Sequence, residues 1–439
     1  MYLGVGIFAL MKRVLIISYY WPPTGGSGVQ RWVKFCKYLP SMGWQPIVYT
    51  PLNPEQLAVD ESLQGDIPEE VEVIKTPIRE PYEIYRKLTG KGPGPKSPQT
   101  EVNPLNSGKK SFAKKLAVWV RGNLFIPDPR VGWVKPSVKY LVKYLEEHPV
   151  DAVVTTGPPQ SMHLIGRGLK RALGVRWIAD FRDPWTEMFY FKHMGLWPLA
   201  KHRHRILEQS VLDEADGIIS VTPLVQKDFQ AKTATPVSLV TNGFDEDDFT
   251  GSPELPRDRF TIVHTGLFAS DGNPLNLWEA LARKCAEDAQ FKKQCQIRLA
   301  GKVDAEIIEA IRLRGLGDNL VNLGYLPHEE TVREQRNASM LILPLRQEPE
   351  YAKVLPGKIF EYLAARRPVL GIGQEEGAAA AVLRDAGAGV MCDWDRTSTV
   401  ESFIDREWER HLAGEDEMTG GDIRKYTRKA LTAELIKIL

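Results

Sequence analysis

Short apolar runs alternate along this chain with longer stretches in which apolar residues recur at helical spacing. Runs of this length are too short for helices and lack the polar alternation of half-exposed strands. Separated by amphipathic helices, they predict parallel α/β layers. In the first half the predicted strands are 14–18, 45–49, 71–75, 152–155, 177–179, 217–221 and 237–240, with helical patterns at 29–39, 138–147 and 202–213. The pattern then restarts, with strands at 260–265, 296–300, 320–323, 340–344 and 369–372 and helices at 275–287 and 358–365. Two doubly wound, Rossmann-like sheets follow, joined by an acidic, turn-rich stretch at 242–253. The tail from about Ile423 reads as a basic amphipathic helix that crosses back over the domains. The expected domains are 11–241, 259–420 and a terminal helix at 421–439. In such sheets ligands bind beyond the carboxyl ends of the strands, and the cleft between two facing domains is the default site.

Composition narrows this picture. A chain of 439 residues is too long for one ordinary core. A net charge of +1 provides no global field to select nucleic acid. Cys36, Cys285, Cys295 and Cys392 have no metal-type spacing and suggest no disulfide framework, which fits a reducing cytoplasm. The apolar start is followed, not preceded, by Lys12-Arg13, so it is not a secretory signal; Met11 is a candidate true start. No run approaches the length that spans a bilayer.

Residues 82–121 stand apart as strongly basic, with a Gly-, Pro- and Ser-rich loop at 90–108 and a helical pattern at 111–120. Two readings stay open: a solvated insertion with one docked helix, or a contact with anionic headgroups at the inner face of a membrane.

The most informative segment runs from Val354 through Pro356, Gly357, Lys358 and Glu361 to Pro368-Val369. Proline suits the first helical position, and the free N–H groups of a first turn form an anion site. Lys358 adds a charge, and Glu361 lies one turn on, where a carboxylate can accept from vicinal hydroxyls. Phosphate at the tip and ribose one turn in describe a sugar-nucleotide pocket; a solvated Lys–Glu pair is the plainer alternative. Glycine after a strand lets backbone approach a ligand. This applies to Gly25 and Gly26 after the first strand, and to Gly266. Lys302, after the next strand, could balance diphosphate charge, as could Lys353. Neither a dinucleotide fingerprint nor a Walker loop is present. Asp180, Arg182 and Asp183 end a parallel strand, where they must pair or meet a ligand. Arg31 can face either way. His163, in the opening turn of a helix, could reach a substrate hydroxyl.

With these motifs in order, the chain resembles the GT-B-fold glycosyltransferases of family 4, which are retaining and use nucleotide sugars. The resemblance rests on Gly25-Gly26, Arg182-Asp183, Asn242-Gly243-Phe244-Asp245 and the block from Lys358 through Glu361 to Pro368-Val369. It implies a hexosyltransferase-like enzyme with two Rossmann-like domains facing a cleft, the acceptor bound by the N-terminal one and the nucleotide by the C-terminal one. It implies that Glu361 binds ribose and that neither metal nor cofactor is needed beyond the nucleotide-diphosphate sugar. His163, Arg182 and Asp183 are the candidate catalytic residues, Asp183 and His163 orienting the acceptor. Gly25, Gly26, Gly266, Lys302, Lys353, Gly357, Lys358 and Glu361 are the candidate donor-binding residues. Two departures mark a divergent branch. Lys353 stands where the family often has a second glutamate, and the loop 270–274 lacks the family's basic residues. The expected function is transfer of a sugar to a glycan or lipid-linked acceptor in cell-surface polysaccharide synthesis. A GT-B-type sugar-nucleotide epimerase and a non-catalytic scaffold are the alternatives.

Overall fold

A computed structural model describes residues 11–25, 27–55, 61–80, 112–415 and 421–439. The predicted loop at 90–108 and most of the basic stretch around it lie outside these residues, as does Gly26. The chain divides into two units, one comprising residues up to Thr241 with Arg428–Leu439, the other Asn242–Thr427.

The first unit is built on seven strands: β1 (Lys12–Ile17), β2 (Trp44–Pro51), β3 (Glu72–Thr76), β4 (Ala152–Gly157), β5 (Trp177–Phe181), β6 (Gly217–Ser220) and β7 (Val237–Leu239). Their order is β3-β2-β1-β4-β5-β6-β7, and adjacent strands run parallel. Its helices are α1 (Ser27–Tyr38), α2 (Phe112–Leu124), α3 (Val131–Glu147), α4 (Ser161–Leu173), α5 (Pro198–Glu214) and α6 (Pro223–Gln230). Val14 to Ile17 and Ala152 to Val154 are completely buried, because both faces of a parallel sheet are covered by helices. Strand order reverses between β1 and β4, so the connections leaving their carboxyl ends diverge and open a crevice.

The second unit repeats the plan with β8 (Phe260–Thr265), β9 (Cys295–Ala300), β10 (Leu320–Gly324), β11 (Met340–Pro344), β12 (Val369–Ile372) and β13 (Gly389–Cys392). The order is β10-β9-β8-β11-β12-β13, again parallel, with its reversal between β8 and β11. Around it lie α7 (Leu275–Glu287), α8 (Ala289–Gln294), α9 (Ala305–Leu313), α10 (His328–Arg336), α11 (Lys358–Ala365), α12 (Ala378–Asp385) and α13 (Thr397–Ala413).

Among the elements that differ from the pattern read in sequence are α3 and the tail. Helix α3 starts at Val131, not at 138, and runs straight through Pro136. The tail is a 3-10 turn, Arg424–Tyr426, followed by α14 (Arg428–Ile436). Leu431 and Leu435 of α14 share a core with Trp32 and Val33 of α1. Arg176 then donates to the Ile438 and Leu439 carbonyls, each at 2.8 Å. Among the described residues no helix is long and apolar enough to cross a membrane.

Candidate functional site

In the second unit the chemistry gathers at the reversal point. Strand β8 ends in His264-Thr265, and Gly266 after it turns at φ +89°, a left-handed conformation that favours glycine. A side chain at Gly266 would start 3.3 Å from Lys358 Nζ. The next strand exits through Gly301, at φ +116°, where a side chain would run into the Gly266 carbonyl. Gly266, Gly301 and Lys358 therefore meet. Lys302, next to Gly301, is exposed.

Pro356 does not occupy the first helical position: Gly357 is the N-cap and α11 begins at Lys358. The Ile359 and Phe360 amides bond back to the Pro356 and Gly357 carbonyls at 3.1 and 3.2 Å. Among the amides of the predicted first turn, this leaves those of Gly357 and Lys358 as the candidate donors to an anion.

Lys358 and Glu361 do not pair with each other. The ammonium instead approaches His264 Nε2 at 3.3 Å and the Leu267 carbonyl at 3.4 Å. His264 Nδ1 lies 3.3 Å from the Ile342 carbonyl and Nε2 3.4 Å from the Leu267 carbonyl; with the lysine ammonium donating to Nε2, the single proton of the neutral ring belongs on Nδ1. Burial, then the lysine charge, holds the His264 pKa well below its ordinary value, so the ring is neutral. Burial lowers Lys358 to about 8 although Glu361 opposes the shift. This cation is partly desolvated and rests on weak neutral acceptors.

Glu361 is held from another helix. Gln335 of α10 donates through Nε2 to Glu361 Oε2 at 2.9 Å and to Thr265 Oγ1 at 3.0 Å. Tyr362 fixes the base of the site by accepting from the Thr265 amide at 3.0 Å. The second oxygen of Glu361 has no partner among the described residues, and the side chain is half-buried. A carboxylate positioned on one oxygen and open on the other suits a hydroxyl donor. Lys353 closes a 3-10 turn, Pro349–Lys353, and is half-buried. A cavity of about 470 Å³ in this unit is lined by Glu254, Thr261, Arg298 and Glu334 and opens near the other end of β8. It is not this site.

In the first unit the acidic strand end is divided between two duties. Asp180 is fully buried and receives Arg31 on both oxygens, Nε at 3.2 Å and Nη2 at 2.9 Å. Trp32 Nε1 and Thr156 Oγ1 add bonds of 2.8 Å each. Burial alone would raise this carboxyl, but Arg31 and these donors outweigh it and hold it below the usual range. Arg31 therefore faces inward and also binds the Val240 and Thr241 carbonyls at 2.9 and 2.8 Å. Arg182 forms no ion pair with these carboxylates. Its guanidinium donates to the Gly28, Gly157 and Pro158 carbonyls and clamps the β4 exit to α1.

Asp183 is left without a hydrogen bond among the described residues. Burial raises its pKa, opposed by Arg182. His163 is fully buried, stacked on Phe181 with ring centres 4.4 Å apart, and its Nδ1 lies 2.9 Å from Thr155 Oγ1. Burial, offset in part by Asp180, lowers it to about 3, so it is a neutral hydrogen-bonding group and not a proton donor. Its buried Nε2 and Gln160 Oε1 lack partners, and both adjoin Gly157. Gly25 is buried at the entry to α1.

The structure thus brings together Gly266, Gly357, Lys358 and Glu361 in one unit, and His163, Arg182 and Asp183 in the other. Sequence reasoning missed His264 as the seat of Lys358 and Gln335 as the support of Glu361. The adjacency of His264 to Gly266 was the available signal for the first; nothing local marks the second.

Residues 93–248 match the family described as Glycosyltransferase Family 4, and residues 259–406 match Glycosyl transferases group 1. Among curated proteins no sequence matches. Solved structures match over nearly the whole length. Sucrose-phosphate synthase from Thermosynechococcus elongatus is 15% identical, with 97% of this chain and 98% of that chain covered and a TM-score of 0.61. WaaG, a glycosyltransferase involved in lipopolysaccharide biosynthesis, is 14% identical over 96% and 99%, with a TM-score of 0.54. A variant of TarM from S. aureus, in complex with Fondaparinux, alpha-GlcNAc-glycerol and UDP, is 10% identical over 98% and 99%, with a TM-score of 0.59. At these identities the likeness concerns the fold alone.

Proposed function

We propose, for a chain that belongs to glycosyltransferase family 4 and has its GT-B fold, that the second unit grips a nucleotide-diphosphate sugar through Lys358 and Glu361 and that the first receives a glycan or lipid-linked acceptor. As a family member the protein is a retaining, metal-independent glycosyltransferase that takes its sugar from a nucleotide donor. The observation that carries the donor site is the separation of Lys358 from Glu361. One turn apart, they would ordinarily pair, yet each is held by a different neutral residue and presents its charge to a ligand.

In this reading Lys358 and the Gly357 and Lys358 amides bind the diphosphate and stabilise the charge that develops as it leaves. Lys302 and Lys353 supply further charge, and Gly266 gives the ligand access to backbone. Glu361 clasps the ribose hydroxyls. Retention permits the leaving phosphate to take the acceptor proton, so no protein nucleophile is required. Asp183, with an unsatisfied carboxyl, and His163, with an unpartnered Nε2, orient the acceptor, while Arg182 positions the backbone around them. The pathway we favour is surface polysaccharide synthesis in the cytoplasm, with the basic 82–121 region at the inner face of the membrane.

Thermal-shift and transfer assays with UDP-, GDP- and other activated sugars test this reading. Stabilisation by one nucleotide class and acceptor-dependent release of its diphosphate are expected. Conversion of the donor sugar with no acceptor would replace the transferase with an epimerase, and no stabilisation by any nucleotide would leave a scaffold.

A further inference from the structure

Asp183 accepts no hydrogen bond among the described residues, so the chain on either side of it must hold it in place. On one side Arg182 does this, through its bonds to the Gly28, Gly157 and Pro158 carbonyls. On the other side Trp185 and Thr186 are each tied to α5. Trp185 Nε1 donates to His204 Nδ1 at 3.1 Å. Thr186 donates its amide to Glu208 Oε1 at 3.1 Å and its hydroxyl to Glu208 Oε2 at 2.6 Å. His204 and Glu208 stand at i and i+4, so one face of α5 takes up two consecutive loop residues. Pro184 alone separates these anchors from Asp183, and its ring fixes one backbone angle of the link.

Each of these bonds is directional. An indole N–H only donates, so His204 Nδ1 is its acceptor and carries no proton. Burial holds His204 below its ordinary pKa although the Gly122 carbonyl opposes the shift, so the ring is neutral and its one proton sits on Nε2, toward that carbonyl. The Phe191 ring meets the imidazole edge to face, with centres 4.9 Å apart, and sets its plane. The Glu208 carboxylate has both oxygens engaged by one residue, with Lys232 Nζ 3.8 Å away. Trp185, His204 and Glu208 are 2%, 2% and 4% exposed. Two leucines would fill this helix face without the cost of desolvating an imidazole and a carboxylate. The polar pair instead admits one orientation of the loop, because each loop donor has one buried acceptor. We propose, resting on the acceptor role given to Asp183 above, that His204 and Glu208 are positioning residues that set the direction of the Asp183 carboxyl.

Isotope-edited NMR spectra of the full chain, labelled at the aspartate carboxyl carbon, test it, with Asp183→Asn identifying the Asp183 signal. In the wild type that signal should titrate above an ordinary aspartate, because burial raises it. His204→Leu and Glu208→Ala should each move the signal and bring its midpoint down toward the ordinary range as the carboxyl meets water. His204→Asn, whose amide oxygen stands where Nδ1 stood, and Glu208→Gln, which keeps an acceptor for the Thr186 amide, should restore it. With UDP-glucose or GDP-mannose as donor and octyl glucoside as acceptor, kcat/KM for the acceptor should fall roughly 10–100-fold in His204→Leu and Glu208→Ala, with donor affinity unchanged. A lower melting temperature with the Asp183 signal unmoved would mark a merely structural pair and overturn the proposal; if Asp183→Asn still abolished transfer, the acceptor role of Asp183 would survive it. A moved signal with unchanged transfer would keep the anchoring and remove that acceptor role. Should His204→Leu not fold, Thr186→Val, at a half-buried position, removes one bond of the same set and makes the same test.

Discussion

Replacing Lys358 with methionine should move stability and donor affinity in opposite directions. The stem and its apolar contacts are kept, and only the charge is removed. Burial brings the lysine from 10.5 to about 8, so below pH 8 it is charged in both folded and unfolded states and the folded state carries the desolvation cost. That cost is on the order of 1–3 kcal/mol for a half-buried ammonium. Lys358→Met relieves it, so the ligand-free variant should melt at a higher temperature at pH 7. As pH rises from about 8 toward 10.5 the unfolded chain binds more protons than the folded one, so wild-type stability should climb toward that of the variant. Donor binding loses a charge-assisted contact of roughly 1.5–3 kcal/mol, about 10–150-fold in affinity. Since binding requires the protonated lysine, wild-type affinity should fall roughly tenfold per pH unit above about 8, and the variant's should be flat there. Calorimetric titration of a nucleoside diphosphate at pH 7, 8 and 9, with melting curves of the free protein, reads all three. A variant that is destabilised and binds as the wild type does would refute the reasoning and make Lys358 a structural donor to His264.

Glu361→Ala should weaken a nucleoside diphosphate by about 1–3 kcal/mol and leave inorganic pyrophosphate unaffected, as parallel titrations would reveal; equal losses for both would remove the ribose role. Arg31→Met strands the buried Asp180 carboxylate, and urea unfolding of the first unit should lose about 3–5 kcal/mol. Asp183→Asn should spare the melting temperature, since burial already disfavours the charged form, and should abolish transfer while donor titration is unchanged; a matching loss of donor affinity would contradict an acceptor role.

Legibility in the sequence followed the range of the interactions involved. β8 and β11 were read with their true bounds: Met340–Pro344 is the continuous apolar run of a strand buried on both faces, and in Phe260–Thr265 Phe260, Ile262 and Val263 stand among β-branched threonines. β13, Gly389–Cys392, has an apolar run of only three residues, Val390-Met391-Cys392, at a sheet edge, which is too short to stand out. Pro136 hid the first turns of α3, since a proline ordinarily ends a helix and here the helix continues through it. The site was legible where its parts are local, as in Gly357, Lys358 and Glu361 on one turn. It was not legible where partners come from afar. Lys358 rests on a histidine 94 positions away, and Glu361 on a glutamine 26 positions away. Arg182 was read as pairing with a carboxylate or a ligand, and it clamps three backbone carbonyls because Asp180 is already satisfied by Arg31.

The most direct measurement is a crystal structure of the chain with a nucleoside diphosphate bound. The account predicts that Lys358 Nζ leaves His264 for a diphosphate oxygen within about 3 Å, while Glu361, still held by Gln335, receives the ribose hydroxyls. A nucleotide bound elsewhere, with Lys358 still seated on His264 and Glu361 open on its second oxygen, would contradict it.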